Sequence, residues 1–246
     1  MIESYRIFAS DRDNITFDYL GNDQNFFGSD EQYILDKLNL FDKNSAGKYD
    51  IPNPHGGGTA YMNAVDKNGL GVSLIQSNFY GIGSRIGVGN YGFFLHNRGC
   101  GFNLIKDHPN SLSPNKKPLH TLSPTIWSKD GSLDFIMGTR GGRYQPQLLA
   151  QTILPYILGE SSFEEIIKKP RWTIENFGSN TSSNIKFEFI KEPEISSLED
   201  KGHTISIENK LIGGYGPIST IYKNSDEKFI GVPDIRVGTE KAFNSS

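Results

Sequence analysis

Three glycines lead directly into a threonine at Gly56-Gly57-Gly58-Thr59, and Ala60 to Val65 behind them have the texture of a strand. A threonine hydroxyl is a weak nucleophile unless a base stands beside it. Breaking the peptide bond in front of the threonine supplies that base, because it frees the residue's own α-amine. Such chemistry needs a small, flexible approach to the bond and a rigid element behind it. Gly58 and Thr59 meet both needs. Read locally, the same residues are simply a loop ending where a strand begins, which is the commoner meaning.

Other residues that could do chemistry are weaker. The lone cysteine, Cys100, lies in Asn97-Arg98-Gly99-Cys100-Gly101-Phe102 with no histidine at a recognisable spacing, so it reads as inert packing rather than a catalytic thiol. The run Gly81-Ile82-Gly83-Ser84-Arg85-Ile86-Gly87 lacks the Gly-Lys-Ser/Thr ending and the following helix of a phosphate loop. The histidines (His55, His96, His108, His120 and His203) show no metal-ligand spacing, so no metal is expected.

Elements must hold a nucleophile still. Residues 60–65 and 70–77 read as two strands joined at Asp66-Lys67-Asn68-Gly69, where Asn-Gly favours a tight hairpin. Tyr91 to His96 reads as another strand. Thr125 to Ser128 and Leu133 to Met137 flank a turn at Lys129-Asp130-Gly131. An apolar stripe predicts a helix from Gln147 to Leu158, kinked or shortened by Pro155. Ser162 with Glu165 resembles a capping box before a short helix that stops at Pro170. Beyond lie a strand at 185–190, a helix at 193–201 with Gly202 as its cap, and strands near 203–207, 218–222 and 228–232. Upstream, residues 1–58 are polar and show one clear amphipathic helix, from Ser29 to Phe41; residues 42–58 read as an exposed, mobile tether. Strands interspersed with a few helices predict a layered α/β or α+β domain.

The 246 residues carry a net charge of -3, which gives no reason to expect nucleic acid as a partner. No apolar run reaches the ~20 residues that span a bilayer, and no signal peptide opens the chain, so a cytoplasmic location is the expectation. The glycosylation-type triplets at Asn14 and Asn180 read as chance.

From Thr59 onward the chain resembles the small subunit of the γ-glutamyltransferase family. Thr59-Ala60-Tyr61-Met62-Asn63-Ala64-Val65-Asp66-Lys67-Asn68-Gly69 resembles the opening of that subunit, and Val72 to Asn78 its next strand. Lys117-Pro118-Leu119-His120-Thr121-Leu122-Ser123-Pro124-Thr125, Gly138-Thr139-Arg140-Gly141-Gly142, Lys169-Pro170-Arg171 and Val232-Pro233-Asp234-Ile235-Arg236 resemble later landmarks in the same order. Ile7-Phe8-Ala9-Ser10-Asp11-Arg12-Asp13 resembles a segment near the end of the large subunit. The resemblance therefore implies two parts: residues 1–58, a remnant of the large subunit and tether, and residues 59–246, the catalytic small subunit.

That family's N-terminal nucleophile hydrolase fold is a four-layer αββα sandwich, here implied to be incomplete. The resemblance makes Thr59 the nucleophile after self-cleavage at Gly58–Thr59, and makes Ser77 the hydroxyl beside it. Gly141 and Gly142 fall where two backbone N–H groups form the oxyanion hole; standing alone they would be an ordinary loop. Arg98, His120 and Thr121 fall at substrate-binding positions. Arg98 stands where transferases have glutamine, His120-Thr121 where they have a serine pair, Gly101 where they have aspartate, and Phe79 where they have asparagine. The nucleophile machinery is thus retained while the glutamate clamp is altered. Arg98 is equally open to contact with an anionic substrate or to a structural salt bridge. The implied activity is acyl transfer from an amide, a γ-glutamyl or related acyl compound, to Thr59 and then to water or an amine, with no cofactor. An acylase of glutaryl-type amides and a non-catalytic subunit of a heteromer are the alternatives. A separate large-subunit-like chain, or self-association, is the expected partner.

Overall fold

The computed structural model describes residues 1–18, 30–51, 58–175, 178–213 and 216–244. Of the N-terminal tether, Pro52 to Gly57 lie outside the described residues.

The central sheet has four antiparallel strands in the order β11-β10-β5-β4, built from β4 (Thr125–Lys129), β5 (Ser132–Thr139), β10 (Ile218–Lys223) and β11 (Phe229–Val232). Strand β5 is buried along most of its length, and its side chains alternate between two faces. Phe135 and Met137 point to α4 (Gln145–Ile157) and α5 (Phe163–Ile166), where they join Leu148, Leu149, Ile153, Phe163 and Ile218 in the main core. Helix α4 runs through Pro155 because the ring sits in the last turn, where little of the helix lies beyond it. Helix α5 carries both halves of the predicted capping box, Ser162 and Glu165 each reaching the other's backbone N–H.

The opposite face of β5 receives the hairpin of β2 (Thr59–Val65) and β3 (Gly71–Ser77). Its turn is set by Asp66, whose carboxylate accepts the N–H groups of Asn68 and Leu70, while Gly69 takes a φ of 84°. Glycines let the two layers close. Gly71 leaves room for Ile136, and Gly138 for the Tyr61 ring, whose hydroxyl pairs with Ser73 at 2.9 Å. Asn63 ties the hairpin across to the Ser219 carbonyl at 3.2 Å. The order of layers is helix, sheet, hairpin. The outer face of the hairpin, with Met62, Val72 and Leu74, is exposed and carries no second helical layer among the described residues. This is the αββα sandwich in incomplete form.

A second, smaller core lies around β6 (Trp172–Ile174), β8 (Ser183–Phe187) and β9 (His203–Ile207), which form a sheet flanked by α6 (Glu192–Glu199). Part of this core comes from the N-terminal segment. Helix α1 (Ile2–Ser10) packs Ala9 against it and β1 (Tyr49–Ile51) adds Ile51, 3% exposed. Short α2 (Arg12–Ile15) and α3 (Glu31–Leu38) complete this region, and β1 pairs with β7 (Gly178–Thr181). Two expectations are corrected here. Residues 1–58 hold more than one ordered helix, and the tether is anchored at Ala46, whose N–H reaches the Lys201 carbonyl, and at Tyr49–Ile51. Residues 42–45 are exposed, as expected, and so is Phe41, which lies beyond the end of α3 at Leu38.

Two further expectations fail. Tyr91 to His96 is no strand: Gly89–Tyr91 is a short 3-10 turn, Gly92 takes a φ of 74°, and only an isolated bridge joins Gly87 to Phe94. Cys100 is exposed rather than packed.

Candidate active site

The register of the hairpin pairs Thr59 with Ser77, so the first residue of one strand lies beside the last of the other. The Thr59 Oγ1 hydroxyl donates to Ser77 Oγ at 3.0 Å, and Ser77 Oγ donates onward to the Gly58 carbonyl at 3.3 Å. The same serine oxygen accepts the Phe79 N–H at 3.1 Å. Gly58 itself donates its N–H to the Gly81 carbonyl at 3.2 Å. One hydroxyl therefore bridges the threonine oxygen and the carbonyl immediately before it. That is a geometry for drawing a nucleophile towards its own peptide bond.

Beyond the end of β5, Gly141 and Gly142 take φ values of 117° and 57°, a conformation that glycine adopts without the clash a Cβ would bring. Their N–H groups make no hydrogen bond within the described residues. Arg143 fixes this loop to the N-terminal helices. Its carbonyl accepts the Arg12 guanidinium at 2.9 Å and the Tyr5 hydroxyl at 3.4 Å, and its side chain pairs with Asp13 at 2.9 Å. Burial lowers the Arg12 pKa, with Tyr5 pulling it back up. Thr59, Ser77, Thr121 and Gly142 line one small pocket, walled by Phe79, Tyr80 and Arg143. Its free volume of about 10 Å³ holds roughly one water molecule.

Phe79 is a bulky, buried residue at a φ of 79°, an uncommon conformation outside glycine. Its ring stacks on Tyr80 at 4.0 Å, and the Arg98 guanidinium lies over it, 4.7 Å from the centroid. Asn97 braces the loop by accepting the Tyr80 N–H and donating to the Tyr80 and Gly83 carbonyls. Arg98 is 9% exposed, and both of its terminal nitrogens are buried with no partner among the described residues. Arg98 makes no salt bridge among the described residues. Gly101 contacts the Leu119 carbonyl closely, and a Cβ there would lie 3.1 Å from it, so the position has little room for an aspartate.

The residues singled out in the sequence divide as follows. Thr59, Ser77, Gly142 and Thr121 meet in one pocket, with Gly58 and Gly141 each one residue away along the chain. Arg98 stands behind the Phe79 wall. His120 faces a separate groove of about 790 Å³ between α1, α2 and α4. Partial desolvation lowers the His120 pKa, and the positive charge of Arg98 lowers it further. Tyr80 and Arg143 were not foreseen as pocket walls. Arg143 could have been suspected from its place directly after Gly141-Gly142, but Tyr80 carried no signal. No cluster of metal-binding side chains occurs among the described residues, and none of their helices is long and apolar enough to cross a membrane.

The family model described as Gamma-glutamyltranspeptidase matches residues 3–243. The glutathione hydrolase-like YwrD proenzyme of Bacillus subtilis is 32% identical over 166 residues, 67% of this chain and 31% of that relative. The oxamate amidohydrolase proenzyme of Klebsiella pneumoniae is 32% identical over 189 residues, 74% of this chain and 36% of that relative. The chain thus spans about a third of the curated relatives it matches. In fold it resembles the cephalosporin acylase of Bacillus halodurans, with a TM-score of 0.77 at 22% identity, over 96% of this chain and 43% of that one. It also resembles a gamma-glutamyltranspeptidase chain of Pseudomonas nitroreducens, with a TM-score of 0.62 at 20% identity, over 75% of this chain and 99% of that one.

Proposed function

The chain belongs to the gamma-glutamyltranspeptidase family, and from that premise we propose that it is the threonine-bearing part of an amidohydrolase or acyltransferase that matures by cutting itself before Thr59. The observation that carries this reading is the hydroxyl relay from Thr59 through Ser77 to the Gly58 carbonyl.

In the maturation step the Thr59 oxygen adds to the Gly58 carbonyl carbon while Ser77 polarises the carbonyl oxygen. The Gly58–Thr59 C–N bond breaks, the hydroxyl proton passes to the departing nitrogen, and Gly58 is left as an ester on Thr59. Water then hydrolyses the ester, releasing the Gly58 carboxylate and freeing the Thr59 hydroxyl beside the α-amine that the shift had already exposed. In turnover that amine removes the hydroxyl proton as the oxygen attacks the amide of a small-molecule substrate. The Gly141 and Gly142 N–H groups stabilise the oxyanion, since they make no hydrogen bond among the described residues and carry no Cβ of their own to block its approach. The leaving amine takes the proton, and water or a second amine then releases the acyl group. These steps need no cofactor.

Gly101 supplies no acid to hold the ammonium of a glutamyl donor, so acyl amides without that ammonium fit this reading better. The chain covers about a third of its relatives, and the outer face of the hairpin is apolar and exposed. Both features support a working form in which further protein, a large-subunit-like partner, covers Met62, Val72 and Leu74.

Mass spectrometry of the purified full chain tests the proposal. Wild type is expected as two pieces divided between Gly58 and Thr59, and Thr59→Ala as one intact chain. A wild type that stays uncut, with and without further protein from the same source, would overturn the assignment of Thr59.

A further inference from the structure

Gly58 is held at both of its backbone polar groups by one loop. It donates its N–H to the Gly81 carbonyl at 3.2 Å, and its own carbonyl accepts the Ser77 hydroxyl at 3.3 Å. Ser77 and Gly81 are the two ends of residues 77–81, so the geometry at Gly58 is only as firm as that loop. The loop is under strain. Phe79 is buried at a φ of 79°, and Gly81 follows at 56°. A bulky residue keeps a left-handed backbone only where its surroundings over-determine it.

Asn97 supplies that constraint. Residues Tyr80 to Gly83 form a tight turn, closed by the Gly83 N–H on the Tyr80 carbonyl at 2.9 Å, with Gly81 at its second position. The Asn97 amide spans the turn. Its oxygen accepts the Tyr80 N–H at 2.9 Å, and its nitrogen donates to the Tyr80 and Gly83 carbonyls at 3.2 and 3.1 Å. The Asn97 backbone N–H reaches the Asn78 carbonyl at 3.1 Å. The peptide planes on either side of Tyr80 are thereby fixed, and the second of them leads directly into Gly81.

We propose that Asn97 is a positioning residue for the self-cleavage step: through the turn it holds, it sets the Gly81 carbonyl against the Gly58 N–H and so orients the Gly58 carbonyl for attack by Thr59. This rests on the reading of Thr59 as nucleophile, and it adds a residue that touches neither the threonine nor the bond that breaks. The role belongs to the uncut chain. Once the Gly58–Thr59 bond is broken, the N–H that Gly81 holds is no longer joined to the nucleophile.

The test follows cleavage in time. The full chain is made by cell-free synthesis, synthesis is stopped, and the intact chain and its two pieces are measured by mass spectrometry through the chase. Asn97→Ala is expected to cut roughly ten- to a hundredfold more slowly than wild type, because a small misplacement of reacting atoms costs about that much. Hydroxylamine locates the step. It takes the Gly58 acyl group from the ester on Thr59 as a hydroxamate, so it speeds a chain that is stalled at the ester. It is expected to leave Asn97→Ala slow, since the step impaired is formation of that ester. Should this variant fail to fold, Asn97→Asp decides. Its ionised side chain faces two carbonyls with no proton to give, whereas its protonated form donates to one of them and accepts from Tyr80 as the amide does. Burial disfavours the ionised form, so the cleavage rate of Asn97→Asp relative to wild type should rise about tenfold between about pH 8 and about pH 5. Cleavage of Asn97→Ala at the wild-type rate, its rescue by hydroxylamine, or a relative rate of Asn97→Asp that ignores pH would overturn the brace and leave the nucleophile standing. A wild type that stays whole would sink the nucleophile, and the brace with it.

Discussion

Buried arginines in this protein are treated in opposite ways, the pair Arg171 and Arg236 against the single residue Arg98. Arg171 and Arg236 sit with Asp234 and Glu188 in a cluster where each charge has its opposite. Arg171 reaches Asp234 at 2.7 Å and the Gly216 carbonyl at 3.1 Å. Arg236 donates Nε to Glu188 at 2.7 Å and its other nitrogens to the Ile167 and Lys169 carbonyls, both at 2.8 Å. The carboxylates are capped in turn by the N–H groups of Ile218 and Ile212. These bonds join the end of α5, the start of β10 and the segment after β11. Arg98 is as little exposed as Arg236, and its terminal nitrogens have no partner among the described residues. Completed networks hold chain segments together, whereas an arginine left incomplete carries a desolvation cost that nothing around it repays.

The contrast can be broken by experiment, and the largest effect is expected in the completed cluster. Burial works against ionising Asp234, but Arg171, two backbone N–H groups and Arg236 together hold its pKa below the usual carboxylate value. Asp234→Ala strands the buried Arg171 cation, whose carboxylate partner is Asp234, while Arg236 keeps Glu188, and a loss of about 3–5 kcal/mol in urea unfolding is expected. A loss under 1 kcal/mol would mean that the network is ornamental.

A third cluster sharpens the comparison by titrating. Glu3 accepts from Arg6 at 2.5 Å and from the Gly47 N–H at 3.0 Å, and His203 stands 3.9 Å away against Ser183. Burial lowers the His203 pKa; Glu3 opposes this, while Arg6 and Lys201 add to it. Between the folded value and the ordinary value near 6.5, the unfolded chain therefore binds a proton that the folded chain does not. The contribution of His203 is complete above that ordinary value and is lost as pH falls towards the folded one. Urea midpoints of wild type should fall between pH 7 and pH 5 more steeply than those of His203→Phe. Parallel slopes would count against the assignment.

The smallest effect on stability is expected at Arg98. Removing an uncompensated cation while keeping an apolar stem should leave Arg98→Met as stable as wild type, or more stable by up to about 2 kcal/mol. A thermal melt showing a loss like that of Asp234→Ala would put Arg98 in the same structural class as Arg171 and erase the distinction.

Much of the region around Thr59 was legible in the sequence because it obeys local rules. Alternation along 59–65 and 71–77, with Asp66 and Gly69 in the turn, sets the hairpin register, and the register brings Thr59 to Ser77. Ser162 and Glu165 likewise act on their own neighbours. Helix α1 was missed because Glu3 and Arg6 interrupt its apolar stripe; they are buried only because each finds a partner in the fold. Tyr91 to Leu95 misled because its aromatic content imitates a buried strand, yet Tyr91 is 81% exposed. The landmarks around Arg171 and Asp234 could be read, but not their bonding to each other, since 63 residues separate them. Whether Arg98 has a partner is a question of three-dimensional neighbours that no spacing answers.

The glycine at 138 has an evolutionary consequence. Tyr61 lies where any side chain on that residue would have to be, and Tyr61 belongs to the strand that begins with Thr59. A lineage that drifts at position 138 must therefore either shrink Tyr61 or lift the hairpin. Lifting it shifts the threonine relative to Gly142 on the opposite layer. Position 138 touches no substrate in this reading, yet it is closed to single-step change, and a mutational library should find it nearly as intolerant as Thr59 itself.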